Sequence, residues 1–140
     1  MAAIIIPSSL ETAQPTEVVR WAAEAFGADN LVVTASFEDA VLVHVAATAV
    51  PGIEITLLDT QYLFAETQWL VDELTKRLDL HLRIVRPSAE VVPDNRWQAD
   101  VEGCCQVRKV EPLARAIAGK QAWITGVRRA DGPTRAGAPV

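Results

Sequence analysis

With 140 residues, thirteen basic against eighteen acidic side chains and a net charge of −5, the chain is one domain's worth, and a broad electrostatic grip on nucleic acid is excluded. Half of the residues are apolar and 22% are charged, the balance of a globular protein rather than a disordered one. Two cysteines, an opening MAAIIIPSS without a basic region, and no stretch long enough to span a membrane argue against a secreted disulfide scaffold, so a cytoplasmic protein with reduced, metal-bound or redox-active thiols is expected.

Residues 1–15, with Pro7, Ser8, Ser9 and Pro15, read as an irregular lead-in to an α/β domain over 16–140. Thr16 to Phe26 is predicted helical, with Val18, Ala22, Ala25 and Phe26 on one face and Gly27 as its C-cap. Leu31 to Thr34 is a β-branched apolar run without helical period, as in a strand covered on both faces. Ser36-Phe37-Glu38-Asp39 breaks it, and Val41, Leu42, Val45 and Ala46 then recur at helical spacing. After the Pro51-Gly52 turn come a second strand, Ile53 to Leu58, ending in Asp59-Thr60, and a helix, Leu63 to Leu78, with Phe64, Val71, Leu74 and Leu78 on one face.

His81 to Val85 is a third strand, and residues 89–103 read as a mostly irregular connection that could move. Gln106 to Ala118 is predicted helical, with Val110, Leu113, Ala114 and Ile117 inward and Pro112 marking a first turn or a kink. Ala122 to Val127 is a fourth strand, followed by a basic loop from Arg128 to Arg135 and a tail, 136–140, without structure of its own. This alternation predicts a parallel sheet with right-handed crossovers and helices on both faces. The turns at Ser36–Asp39, Asp59–Thr60 and Gly126–Arg129 then share the carboxyl edge, where such sheets bind ligands.

A helix opening on the Ser36–Asp39 turn would aim backbone N–H groups and its positive dipole end at a phosphate, although Ser and Asp also serve there simply as caps. Neither the Walker nor the dinucleotide glycine fingerprint is present. Arg128, Arg129 and Arg135 suit phosphate or sulfate, and Asp59 could accept from a ribose hydroxyl, hold a metal or cap its own turn. Adjacent Cα atoms are about 3.8 Å apart, below the roughly 4.4 Å minimum of ordinary disulfides, so Cys104 and Cys105 are either small buried hydrophobes or paired thiolates on a metal or cluster. Arg108 and Lys109 lie within a turn of them and would favour thiolates, or else belong to a solvated face. His44 and His81 have no evident partner, and the four tryptophans are read as packing residues.

Taken together, the segments TASFEDAVLVHVAA (34–47), LLDTQYLFAET (57–67), GCCQVRKVEPL (103–113) and AWITGVRRADGPTRAGAP (122–139) resemble the assimilatory adenylyl-sulfate reductases of actinobacterial type. These are relatives of the phosphoadenylyl-sulfate reductases in the adenine-nucleotide α-hydrolase-like (Rossmann-like) superfamily. The resemblance implies that Ser36, Glu38 and Asp39 receive the nucleotide phosphate, that Leu58, Asp59 and Thr60 contact the adenosine, and that Gly126, Arg128, Arg129 and Arg135 close over the substrate. It further implies that Cys104 and Cys105 are two ligands of a four-iron four-sulfur cluster, that Lys109 lies between cluster and substrate, and that the substrate is adenylyl sulfate rather than its 3′-phosphorylated form.

In that family a thiolate from a C-terminal Glu-Cys-Gly-Leu-His segment attacks the substrate's sulfur, AMP leaves, and thioredoxin then releases sulfite, a step of cysteine biosynthesis. The present sequence reaches Val140 without the family's second cysteine pair or that segment, and Gln61 stands where relatives often carry Gly. It is therefore expected to be a fragment or shortened form, incomplete at its C-terminus and without a catalytic residue of its own, that does not reduce sulfate esters alone. Two other readings stay open: a non-catalytic adenine-nucleotide-binding module, and a phosphoadenylyl-sulfate reductase relative. A relative that splits ATP between its α and β phosphates is disfavoured by the missing serine-glycine-glycine loop. A homo-oligomer is also open.

Overall fold

The computed structural model describes residues 3–140. Its secondary structure is α1 (Pro15–Phe26), β1 (Leu31–Thr34), α2 (Val41–Ala49), β2 (Glu54–Leu58), α3 (Ala65–Leu78), β3 (His81–Val85), α4 (Val101–Cys105), α5 (Glu111–Ile117) and β4 (Ala122–Thr125). The four strands form one sheet in the order β3-β2-β1-β4, every pair parallel. Val33 lies beside Ile55 on one side and Ile124 on the other, and Ile55 lies beside Leu82.

That register separates the two faces. Leu31, Val33, Ile53, Ile55 and Leu57 form one core cluster with Val19 and Ala22 of α1, Val43, Ala46 and Ala49 of α2, and Val71 of α3. The opposite face carries buried Val32 and Thr56 and receives α5, which packs on β2 and β3. Helices therefore cover both faces, as the alternation predicts, and the long connection from β3 to β4 crosses on the side opposite to α1, α2 and α3.

Several inward residues differ from the predicted ones. Val41 and Phe64 are exposed; in α2 the expected Ala46 is buried and Leu42 and Val45 pack partly buried against the core, and Val43 and Ala49 are buried with them. Of the tryptophans only Trp21 packs by its ring, edge-on to Phe26 at 6.0 Å between centroids; Trp69, Trp97 and Trp123 are exposed. In the C-terminal helical run Val110 and Ala114 of the predicted stripe face solvent, whereas Leu113 and Ile117 are half-buried. The buried stripe is Cys104, Arg108, Pro112 and Ala116, each four residues after the last.

Arg108 is thus a correction to the solvated-face alternative, being only 2% exposed. The five residues Gln106–Val110 between α4 and α5 are π-helical. The wide turn sits just before Pro112, which has no N–H to give and whose ring would crowd a carbonyl of a tighter helix.

The lead-in contains a 3-10 turn, Ser8–Thr12. The 89–103 connection is less irregular than expected, because the helical run already begins at Val101. Asp100 starts it, its Oδ1 accepting from the Gly103 N–H at 2.9 Å, and a side chain at Gly103 would run into that carboxylate. Asp100→Ala is expected to lower stability by about 1 kcal/mol, the usual worth of an N-cap, read as a shift of the urea midpoint with unchanged slope.

Candidate functional site

Parallel pairing brings the ends of β1, β2 and β4 to one edge, and two backbone bonds extend the ladder there: Ala35 N–H to Thr56 O at 3.0 Å and Asp59 N–H to Val85 O at 2.9 Å. Thr34 is registered against Thr125, so the turn that starts at Ser36 and the loop that starts at Gly126 leave adjacent strands side by side. Gly126 lies against the Leu42 side chain at the start of α2, where a Cβ would come within 3.3 Å of Leu42 Cδ2. A larger residue there would push the two segments apart.

Ser36, Glu38 and Asp39 are exposed at this edge, whereas Phe37 between them is buried in the core cluster with φ at +56°. A left-handed backbone is uncommon for a bulky residue and costs of order 1 kcal/mol. Here it drives the ring inward and leaves its neighbours outward. Asp39 Oδ1 accepts from Val41 N–H at 2.8 Å, the capping role open to it from the sequence.

Asp59 Oδ1 accepts from Gln61 N–H at 2.9 Å and its Oδ2 from Arg86 Nε at 3.2 Å, so it caps its turn and pairs with the first residue after β3. Gln61 has φ at +71°, a conformation in which Gly carries no steric cost. Its side chain is used: Nε2 donates to Val91 O at 2.8 Å.

The arginine loop folds back on itself and on the lead-in through 3-10 turns at Arg129–Asp131 and Pro133–Arg135. Arg128 donates from its backbone N–H to Asp131 Oδ2 at 2.8 Å and from Nε to Oδ1 at 3.0 Å. Arg129 donates from Nε to Ala138 O and from Nη2 to Glu11 Oε2, both at 2.7 Å, and Glu11 Oε1 accepts from Val140 N–H at 3.1 Å. The tail, expected to lack structure, is therefore tied to the lead-in.

The Val140 N–H and the Arg129 guanidinium hold the Glu11 carboxyl below its ordinary value of 4.5, and the Arg128 N–H and side chain do the same for Asp131 below 3.8. A carboxylate depressed by folding contributes stability at pH above its unfolded value and loses it as pH falls through the folded one. The thermal midpoint is accordingly expected to be flat near neutrality and to fall below about pH 4.5, with Glu11→Gln plus Asp131→Asn reducing that acid slope.

Cys104 is buried and Cys105 half-buried, both as free thiols, while Lys109 is exposed one residue beyond buried Arg108. No group of three or more His, Cys, Asp or Glu among the described residues is placed to hold a metal. Two adjacent thiols are half of a four-thiolate set, so the residues present do not by themselves fit a cubane cluster.

A cavity of about 240 Å³ opens at the carboxyl edge beside β2 and β3, lined by Leu57, Asp59, Leu63, Gln68, Ile84 and Arg86 among others. Another of about 380 Å³ lies at the opposite edge, among Asp29, Gly52, Glu54, His81 and Lys120. The Ser36 turn and the arginine loop line neither of the two.

Residues 30–140 match the model of the phosphoadenosine phosphosulfate reductase domain. The chain belongs to this family. Phosphoadenosine phosphosulfate reductase domain relatives include the adenosine 5′-phosphosulfate reductase of Mycobacteroides abscessus, 42% identical over 139 residues, which cover 95% of this chain and 58% of the relative. That of Streptomyces coelicolor is 41% identical over 137 residues, 94% of this chain and 58% of the relative. The chain thus spans less than two thirds of the length of these curated relatives. The crystal structure of phosphoadenylyl-sulfate reductase from Candida auris, in a phosphate complex, superposes with a TM-score of 0.74 over 91% of this chain and 71% of that one, at 24% identity, and so shares the family fold.

For this reductase-domain chain, sequence reasoning missed Phe37, Gln61, Tyr62, Glu11 and the burial of Arg108. Only Arg108 carried a local signal, its spacing of four from both Cys104 and Pro112. The helices described are all too short or too polar to cross a membrane.

Proposed function

We propose that this chain is the nucleotide-binding part of an assimilatory adenylyl-sulfate reductase, acting in the cytoplasm, where the intact enzyme yields sulfite and AMP with thioredoxin as reductant. The observation that carries the reading is the Thr34–Thr125 register, with Gly126 against Leu42, which sets the serine-acid turn and the arginine loop side by side at one sheet edge. In this reading Ser36, Glu38, Asp39 and the start of α2 receive the nucleotide phosphate, and Leu58, Asp59 and Thr60 border the adenosine. Arg128, Arg129 and Arg135 of the loop that Gly126 begins close over the substrate's phosphate and sulfate, and Lys109 lies toward the sulfate from the cysteine side. Cys104 and Cys105 contribute thiolates to a four-iron four-sulfur cluster only in company with ligands other than those described.

No residue of this chain is assigned the attacking thiolate. Its part is to bind and orient the sulfonyl donor so that AMP can leave, positioning being a large share of such catalysis. Calorimetric titration with AMP, adenosine 3′,5′-bisphosphate and ATP tests the binding reading; AMP is expected to bind most tightly, and failure of AMP to bind would refute it. In the same preparation, sulfite release from adenylyl sulfate with thioredoxin is expected to be absent, and sustained turnover would show that the 140-residue polypeptide carries its own nucleophile.

A further inference from the structure

Among the described residues Arg108 is the one charged side chain in the buried set, and its guanidinium touches two other segments, the connection at residues 92–94 and the turn after β2. Nη2 donates to Val92 O at 2.7 Å and to Asp94 Oδ1 at 3.2 Å, and Cζ lies 5.0 Å from the centroid of the Tyr62 ring. The Tyr62 hydroxyl oxygen in turn accepts from the N–H groups of Asp94 and Asn95, at 3.0 and 3.1 Å, while Gln61 holds the adjoining Val91 carbonyl. A continuous line of contacts therefore runs from Asp59 through Gln61 and Tyr62, across residues 91–95, to Arg108 in the π-helical turn.

This arrangement is costly. Nε and Nη1 of Arg108 are buried and take no hydrogen-bond partner among the described residues, and a buried charge with unmet donors is less favourable than an apolar side chain of similar volume. Folding stability alone does not account for arginine at this position. What an apolar residue would lack is a charged group whose Nη2 grips both a carbonyl and a carboxylate while its planar face rests on an aromatic ring. A π-helical turn, with its looser register, also leaves the setting of the flanking residues to such outside contacts.

We infer that Arg108 is a positioning residue that couples the turn after β2 to the helical run bearing Cys104, Cys105 and Lys109, so that a nucleotide seated at Asp59–Thr60 orders that run. The inference rests on the nucleotide reading of the carboxyl edge. Arg108 would touch neither substrate nor cluster; it acts through Tyr62 and residues 91–95. Because the uncoupled state of the run is a minor one in the folded protein, losing the coupling changes AMP affinity little but abolishes the response of the run to AMP.

The test is hydrogen exchange of the 140-residue chain with and without saturating AMP, comparing wild type with Arg108→Met and Arg108→Lys. In the wild type AMP is expected to slow exchange over residues 101–110 by about fivefold or more. In Arg108→Met that slowing is expected to vanish, while slowing over residues 36–47 persists and the AMP dissociation constant moves by less than about threefold. Arg108→Lys, which keeps the charge without the planar face over Tyr62, is expected to restore only part of the response, and it carries the test if the methionine variant does not fold. AMP-dependent slowing over 101–110 that survives undiminished in the folded variants overturns the coupling role alone. A wild-type chain that binds no AMP overturns the functional reading and this inference with it.

Discussion

Phe37→Ala is expected to destabilise the protein by about 3 to 5 kcal/mol, the range for deleting a buried aromatic ring that leaves a cavity. The ring is 2% exposed and belongs to the core cluster that joins β1, β2 and α2. Alanine would keep the left-handed backbone strain at φ +56° and lose the packing that offsets it. Against a total stability of about 5 to 15 kcal/mol such a change leaves the chain folded only marginally. A urea titration measures it, and a loss under about 1 kcal/mol would mean that the ring does not anchor the turn. Where the variant remains folded, AMP affinity is expected to fall as well, because Ser36 and Glu38 are aimed outward by the inward-facing ring between them.

The paired substitution Arg128→Gln with Arg135→Gln is expected to weaken AMP binding by about 100-fold or more, two charge-assisted contacts at about 1.5 kcal/mol or more each. Arg129 is left in place, since it also ties Glu11 and Ala138 and its removal would mix loop order with ligand contact. Arg128 is engaged with Asp131 in the free protein at 3.0 Å, so part of its contact with a ligand replaces an existing pair. That pair is a surface one with Arg128 three-quarters exposed, and the thermal midpoint is expected to change little. Calorimetric titration at low and moderate salt checks both statements. An unchanged AMP affinity would remove the arginines from the site.

The four strands and their parallel arrangement were legible because each is a short apolar or β-branched run bounded by turn residues, and the topology rules then leave few options. The same rules carried Ser36, Asp59 and Gly126 to one edge. What escaped were mostly features with no local signature. Phe37 is not a turn-forming residue, and nothing in its neighbours announces a left-handed conformation. The stripe Cys104, Arg108, Pro112 and Ala116 is hidden because a π-helical turn shifts the inward face and because one of its members is charged. The connection ahead of α4 is held by contacts such as Gln61 with Val91 and Tyr62 with Asn95, separated by 30 and 33 residues, which no window of sequence reveals. Likewise the ion pair of Arg129 depends on Glu11, at the far end of the chain.

The central claim is that an adenylate sits where the turn after β1 meets the loop after β4. Amide chemical-shift mapping of the nitrogen-15-labelled chain titrated with AMP tests it most directly. The account predicts the largest shifts at Ser36 to Leu42, Leu58 to Thr60 and Gly126 to Arg135. Shifts centred instead on Gly52, His81 and Lys120 at the opposite edge of the sheet, or none at saturating AMP, would contradict it.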